Sequence, residues 1–197
     1  DEDKLKSEAL ITTLLNRQVD GFIIAPAEGT ANQISQLMKE NIPVVLLDRY
    51  FPELSVSHII LDNYKATFEA TEHLILSGSN NITMVAYKSG LIHMKERIRG
   101  YTEAMRVHNM EDSISIIEVR FNHARKDLEK LFDTHVANIQ GEKALLFATN
   151  ALSISGLYSF QKRCLKIPED YSFIGFDGGE SFDLFNPPLT YVQQPLE

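Results

Sequence analysis

The chain has 197 residues, with 19 basic and 27 acidic side chains and a formal net charge of −8. Its content of 44% hydrophobic and 23% charged residues is that of an ordinary globular protein, which excludes disorder, collagen and a disulfide scaffold. Because an acidic surface repels phosphate backbones, we expect no appreciable binding of DNA or RNA by this segment alone.

A single cysteine, Cys164, cannot pair within the chain and indicates a reducing compartment such as the cytoplasm. We expect its thiol to be buried and inert. No apolar run approaches the roughly 20 residues of a spanning helix, so no membrane contact is predicted. The chain opens without an initiator Met or a signal-like segment, so we expect a piece of a longer protein.

Hydrophobic periodicity predicts helices that alternate with short, continuous apolar strands, the pattern of an α/β fold with mostly parallel sheets flanked by helices. The strands are predicted at 20–25, 43–47, 58–61, 82–86, 114–119, 144–148, 172–176 and 189–193. The helices are predicted at 3–17, 30–41, 64–77, 92–109, 123–138 and 150–164. Two clusters of strand-helix pairs, divided at Asp62, predict two lobes.

Several helix ends have a local chemical cause. Asp62 or Asn63 can cap the helix at 64–77, and Gly78 can supply the left-handed residue that ends it. Asn150 follows a strand directly and can cap the next helix.

In such sheets, ligands bind beyond the carboxyl ends of the strands. These ends lead into Pro26, Asp48, Asp62, Tyr87, Arg120, Thr149 and Asp177. A binding site is therefore expected among the residues that follow these strands.

No enzyme signature is found in the sequence. It lacks a dinucleotide fingerprint, a phosphate loop and a Gly-x-Ser-x-Gly elbow. Its six histidines show neither the spacing nor the cysteine company of a zinc site. We therefore predict no catalytic residue, no metal and no cofactor.

The strand ends do offer the groups that a sugar requires, namely carboxylates, an amide, a guanidinium fork and an aromatic platform. These are Asp48, Arg49, Phe121, Asn150 and Asp177, and Arg97 lies on the inner helix face that Met94 and Tyr101 mark. Ordinary alternatives stay open: Arg97 can snorkel at the rim of the core, an Asp after a strand is often a turn residue, and Phe121 can be core.

A set of motifs occurs in order along nearly the whole chain. They read DGFIIAP at 20–26, IPVVLLDR at 42–49, DN at 62–63, RIRGY at 97–101, FATN at 147–150, IPEDYSFIGFD at 167–177 and PPLTYVQQP at 187–195. With these motifs the chain resembles the effector-binding domain of the lactose-repressor (LacI/GalR) family of bacterial transcription regulators.

The resemblance implies a two-lobed fold of the periplasmic-binding-protein type, with an effector in the cleft between lobes. It implies an incomplete first lobe at 1–61, a second lobe at 62–190 and a return crossover into the first lobe at 191–197. A first crossover is expected near Leu61 to Asn63. The helix-turn-helix headpiece, the first strand-helix units and the final helical tail are expected to lie outside this chain.

The resemblance also implies roles for single residues. Arg97 is the main effector-binding arginine, Asn150 and Asp177 are polar contacts, and Phe121 matches the aromatic that stacks on the ligand. Asp48 and Arg49 match a hinge-side pair that touches ligand in some members.

The function expected from the resemblance is that of a cytoplasmic, homodimeric repressor. It would bind a small molecule, a sugar, and through its headpiece bind operator DNA with an affinity that the sugar changes. The alternative is a periplasmic sugar-binding protein of a transporter, which shares the fold. A sugar-acting enzyme is a third possibility, and the sequence offers nothing in its favour.

Overall fold

The computed structural model describes residues 3–134 and 143–195. Its helices are α1 (Lys4–Asn16), α2 (Ala31–Lys39), α3 (Asn63–Leu76), α4 (Ile92–Val107), α5 (Ala124–Thr134), α6 (Asn150–Lys162) and α7 (Glu180–Asp183). Its strands are β1 (Phe22–Ile24), β2 (Val44–Leu47), β3 (Ser57–Ile59), β4 (Asn81–Tyr87), β5 (Ser115–Val119), β6 (Lys143–Phe147), β7 (Ser172–Phe176) and β8 (Thr190–Val192). Short 3-10 helices lie at Glu111–Ser113 and Phe121–His123.

The first sheet is parallel and has the strand order β1-β2-β3. Ile23 of β1 pairs with Val45 of β2. Ile34 and Leu37 of the amphipathic helix α2 are fully buried and share one core with Phe22 and Leu46 of the strands. This packing of a helix stripe on a parallel sheet is what the period of the apolar residues predicts.

The second sheet has the order β5-β4-β6-β7-β8, again with every pair parallel. Its core joins the inward faces of α5 and α6, including Phe160 of α6, to aromatic residues of the strands such as Phe147 and Phe173. Strands buried on both faces explain why their sequences are continuous apolar runs. The predicted α/β class with parallel sheets flanked by helices is confirmed.

Contacts between α-carbons divide the chain into two compact units. The first contains the residues up to Leu61 together with Ser89–Lys95, and the second contains Asp62–Lys88 and the residues from Glu96 onward. The division into lobes at 1–61 and 62–190, with a return crossover at 191–197, stays a prediction.

The motif Arg97-x-x-Gly100-Tyr101 has a physical explanation within the second unit. A β-carbon on Gly100 would lie 2.2 Å from the backbone oxygen of Tyr64 in α3, so only glycine lets α4 approach α3 this closely. The hydroxyl of Tyr101 donates to the Ile82 carbonyl of β4 and accepts from the Ser115 amide of β5. The motif thus fixes the helix that carries Arg97.

The predicted helix ends are confirmed at two places and wrong at a third. The Asp62 side chain accepts from the Lys65 amide at 2.9 Å, and Gly78 has φ +97°. Asn150 does not cap α6, because Thr149 takes that place with its hydroxyl accepting from the Leu152 amide.

Cys164 is exposed rather than buried, so the expectation of a buried thiol was wrong. It follows the end of α6 in a left-handed conformation with φ +54°. The helix predicted at 123–138 begins at Ala124, and its predicted last residues, 135–138, lie outside the described residues.

Candidate functional site

Arg97 lies at the carboxyl-terminal edge of the second sheet and is only 2% exposed. Its Nε donates to Asn63 Oδ1 at 2.7 Å, and its Nη1 donates to the Ala148 carbonyl at 2.5 Å. Its guanidinium carbon lies 3.5 Å from the ring centroid of Phe176, a cation–π contact. The guanidinium is therefore held by the ends of β6 and β7 and by the first residue of α3.

Asn150 and Asp177 are joined at the same edge. The Asn150 amide donates to the Asp177 carbonyl at 2.5 Å, and the Gln194 amide donates to Asp177 Oδ1 at 2.6 Å. Asp177 has φ +58°, and its own N–H bonds to the Val192 carbonyl of β8. A non-glycine residue in this region is uncommon, and Asp is among the residues that tolerate it.

Phe121 begins the 3-10 helix that follows β5 and is 53% exposed, with its ring 5.1 Å from that of Tyr87. Its backbone is fixed by Arg120, whose amide and guanidinium both donate to Asp127. The hydrogen bonds from the Arg120 side chain, reinforced by the bond from its amide, hold the pKa of Asp127 well below the usual range.

Asp48 and Arg49 lie in the first unit, directly after β2. Asp48 has φ +67°, and its amide bonds to the Ile59 carbonyl of β3. Its carboxylate lies 3.3 Å from Arg49 Nε, and Arg49 Nη1 lies 3.4 Å from the Pro26 carbonyl. Each unit therefore carries an aspartate in a left-handed conformation directly after a strand.

The second unit brings together three of the six predicted site residues, Arg97, Asn150 and Asp177. Phe121 lies at the same edge but two strands away from β6, roughly 10 Å at the usual strand spacing. Asp48 and Arg49 belong to the other unit. Convergence of the predicted set on one crevice stays a prediction.

Several residues of this edge were not expected to contribute. The sequence predicts Asn63 only as a helix cap, although its side chain holds Arg97, and it assigns no role to Gln194. It predicts Phe176 only as a strand residue, although its ring lies against the guanidinium. Side-chain partners that are far apart in sequence leave no periodic signal, so hydrogen-bonding capacity at the strand ends was the available indication.

Within residues 3–134 and 143–195, no group of three or more His, Cys, Asp or Glu side chains is placed to hold a metal ion. Among the helices of this described part, none is both long and apolar enough to span a bilayer.

Comparisons of the sequence and of the fold with known proteins point to the same family. The family described as periplasmic binding proteins and sugar binding domain of LacI family matches residues 1–197. The probable HTH-type transcriptional regulator EndR of Paenibacillus polymyxa is 32% identical over 99% of this chain and 57% of its own length. The HTH-type transcriptional repressor PurR of Aliivibrio salmonicida is 28% identical over 96% of this chain and 57% of its own length.

The fold matches as well. A probable LacI family transcriptional regulator from Corynebacterium glutamicum superposes with a TM-score of 0.85 and 26% identity, over 98% of this chain and 73% of that one. This chain spans 57% of the length of the two curated relatives, whose names are those of a probable transcriptional regulator and a transcriptional repressor. With a family match over its full length and a relative above 30% identity, the chain belongs to the LacI-family group of periplasmic-binding-protein-like, sugar-binding domains.

Proposed function

We propose that this chain is the effector-binding part of a ligand-responsive transcriptional repressor whose effector is a sugar. The regulators among its relatives support this function over the alternative of a periplasmic transport component. Because the chain spans 57% of their length, the part that binds operator DNA is proposed for the whole protein. A cytoplasmic location fits an unpaired cysteine and a role on DNA.

The observation that carries the proposal is the guanidinium of Arg97, held in place beside Asn150 and Asp177 at the carboxyl edge of the second sheet. A guanidinium, a carboxylate and an amide offer the donors and acceptors that sugar hydroxyls require. The exposed ring of Phe121 supplies an apolar face for the C–H side of a sugar. Asp48 and Arg49 are proposed as contacts contributed by the first unit.

Binding changes DNA affinity if the sugar has different affinities for two arrangements of the protein. A coupling free energy of about 1–3 kcal/mol changes the affinity for DNA by roughly 5- to 150-fold. In a homodimer, the same change acts on two DNA-binding headpieces, which read half-sites about one helical turn apart.

An exposed apolar surface of the second unit fits the proposed homodimer. Leu184 is 86% exposed, and Phe185 and Tyr158 flank a cavity of about 450 Å³ that Leu157 and Ile154 also line. We propose that a second copy covers this surface, because large exposed apolar side chains close together mark protein–protein contacts. Sedimentation velocity should show a dimer that Leu184→Lys dissociates, whereas a dimeric Leu184→Lys protein would place the interface elsewhere.

The function is tested by a thermal-shift screen of the protein against sugars, sugar phosphates and purines. A compound that binds only the native state raises the melting temperature. We expect a sugar to give the largest rise, and a sugar phosphate or purine with the largest rise would contradict the proposed effector class.

The site is tested by calorimetry with Arg97→Ala. Loss of a charge-assisted fork should cost a large share of the affinity for that sugar. Arg106→Ala is the matched control, because Arg106 lies on the exposed side of the same helix. Wild-type affinity in the Arg97→Ala protein would show that the site is wrongly assigned.

A further inference from the structure

We propose that Asn63 is a positioning residue that sets the direction of the Arg97 guanidinium and links it to the segment where the chain passes from the first unit to the second. This proposal rests on the proposed function, in which Arg97 binds the effector.

The first step of the argument is the rigidity of Asn63. It is the first residue of α3, its side chain is buried with 4% exposed, and the neighbouring Asp62 caps the helix through the Lys65 amide. A capped first turn fixes the backbone at this point. The Oδ1 acceptor therefore stands in place before any ligand binds.

The second step concerns the shape of the guanidinium. Its donors lie in one plane, so a hydrogen bond donated by the Nε–H constrains the rotation of the whole fork. At Arg97, Asn63 takes the Nε–H, the Ala148 carbonyl takes an Nη1–H, and the Phe176 ring supports the face. Of these three partners, Ala148 contributes a backbone oxygen and Phe176 belongs to a strand. Asn63 is therefore the partner that a substitution can remove without altering a strand.

The third step is the place of Asn63 in the chain. The chain crosses between the two compact units at three places, and the first of these falls between Leu61 and Asp62, so Asn63 is the second residue of the second unit. The oxygen that holds Arg97 therefore belongs to a helix start that directly follows the connecting segment.

The experiment compares Asn63→Ala with Asn63→Asp, which retains an acceptor oxygen and places a favourable negative charge at a helix start. Lys65→Ala is the control, because it removes an exposed side chain from the same helix turn. NMR of protein with ¹⁵N-labelled arginine follows the Nε–H resonance of Arg97, assigned from its absence in Arg97→Lys. If Asn63→Ala does not fold, Asn63→Ser carries the same test.

A second measurement is calorimetry with whichever of D-ribose, D-glucose, D-galactose and D-xylose gives the largest thermal shift. We expect Asn63→Ala to lose the protected Nε–H signal and to bind this sugar about tenfold more weakly, as for a lost hydrogen bond to a charged group. Asn63→Asp should keep the signal and bind this sugar with a Kd within about threefold of the wild-type value, because it retains the acceptor oxygen.

The outcomes separate the two proposals. A retained Nε–H signal or unchanged sugar affinity in Asn63→Ala overturns the positioning role, and so does an equal loss in Asn63→Asp. If none of the four sugars binds the wild-type protein, the choice of effector fails, and the NMR signal still decides whether Asn63 holds Arg97.

Discussion

Gly100 lies directly against the backbone oxygen of Tyr64, where a β-carbon would come within 2.2 Å of that oxygen. A second backbone atom, the Phe68 nitrogen, would lie 3.0 Å away. Backbone atoms cannot move aside as a side chain can, so substitution must push α4 away from α3. The contact between these helices therefore sets where Arg97, one turn earlier on α4, meets Asn63.

Replacing Gly100 with alanine should lower the free energy of unfolding by about 1–3 kcal/mol, the usual cost of overpacking. Alanine favours an isolated helix over glycine by about 1 kcal/mol, so a net loss would show that the clash dominates. Urea denaturation followed by circular dichroism measures the change. Gly179→Ala is the control, because no atom lies within 4 Å of its added β-carbon.

The phenol of Tyr101 joins two strands that the sheet already pairs. Tyr101→Phe leaves the Ile82 carbonyl and the Ser115 amide without this partner. We expect unfolding to become easier by about 1–3 kcal/mol, the cost of an unsatisfied buried group. A loss below a few tenths of a kcal/mol would mean that water takes over both bonds.

The same phenol gives a pH dependence at the alkaline end. Burial raises the pKa of Tyr101 to about 12, above the value of about 10 of an exposed tyrosine. A raised pKa means that the folded state holds the proton more tightly, so this stability is complete below pH 10 and falls as the pH rises towards 12. The difference in unfolding free energy between wild type and Tyr101→Phe should shrink over this range.

How much of this architecture the sequence predicts depends on the range of the interaction. Strands such as β6 and β7 appear as continuous apolar runs, and helix ends at Asp62 and Gly78 follow from local rules. The four-residue helix α7 is too short to show a period. Whether Thr149 or Asn150 caps α6 depends on the partner of Asn150, which is Asp177, 27 residues further on.

The candidate site also has features that the local sequence predicts and features that depend on distant partners. That polar residues follow parallel strands is visible in the sequence, and Asn150 and Asp177 lie together as a result, whereas Arg97 reaches this edge from α4. The roles of Asn63 and Gln194 require knowing which side chains meet across the edge of the sheet. The burial of Cys164 is predicted from its residue type alone, which carries no information on the left-handed turn after α6 where the residue lies exposed.

Asp127 provides a pH dependence at the acidic end. Its pKa is lowered by hydrogen bonds from Arg120, so the stability it contributes is present above the ordinary value of about 3.9 and declines as the pH falls further. Asp127→Asn should unfold more easily than wild type at pH 7, with a smaller difference at pH 3. Glu103→Gln, at an exposed and longer ion pair, should show no such difference at either pH.

Asp177 combines a strained backbone with a proposed ligand contact, and two substitutions separate the two properties. With φ +58°, an alanine at this position should cost about 1–2 kcal/mol of stability, because its β-carbon crowds the following carbonyl. Asparagine tolerates this conformation and retains the oxygen that accepts from Gln194. Asp177→Asn should therefore keep the stability of the wild type.

Both substitutions remove the carboxylate charge, so both should weaken binding of the sugar found in the screen by about tenfold, as for a charge-assisted hydrogen bond. Calorimetry gives the affinity, and urea denaturation gives the stability. Asn109→Ala is the control for strain, since Asn109 has φ +57° in an exposed turn and should lose stability without losing affinity. Wild-type affinity in Asp177→Asn would show that the sugar does not need the carboxylate charge. Asp177 would then serve only to maintain the left-handed backbone conformation at this position.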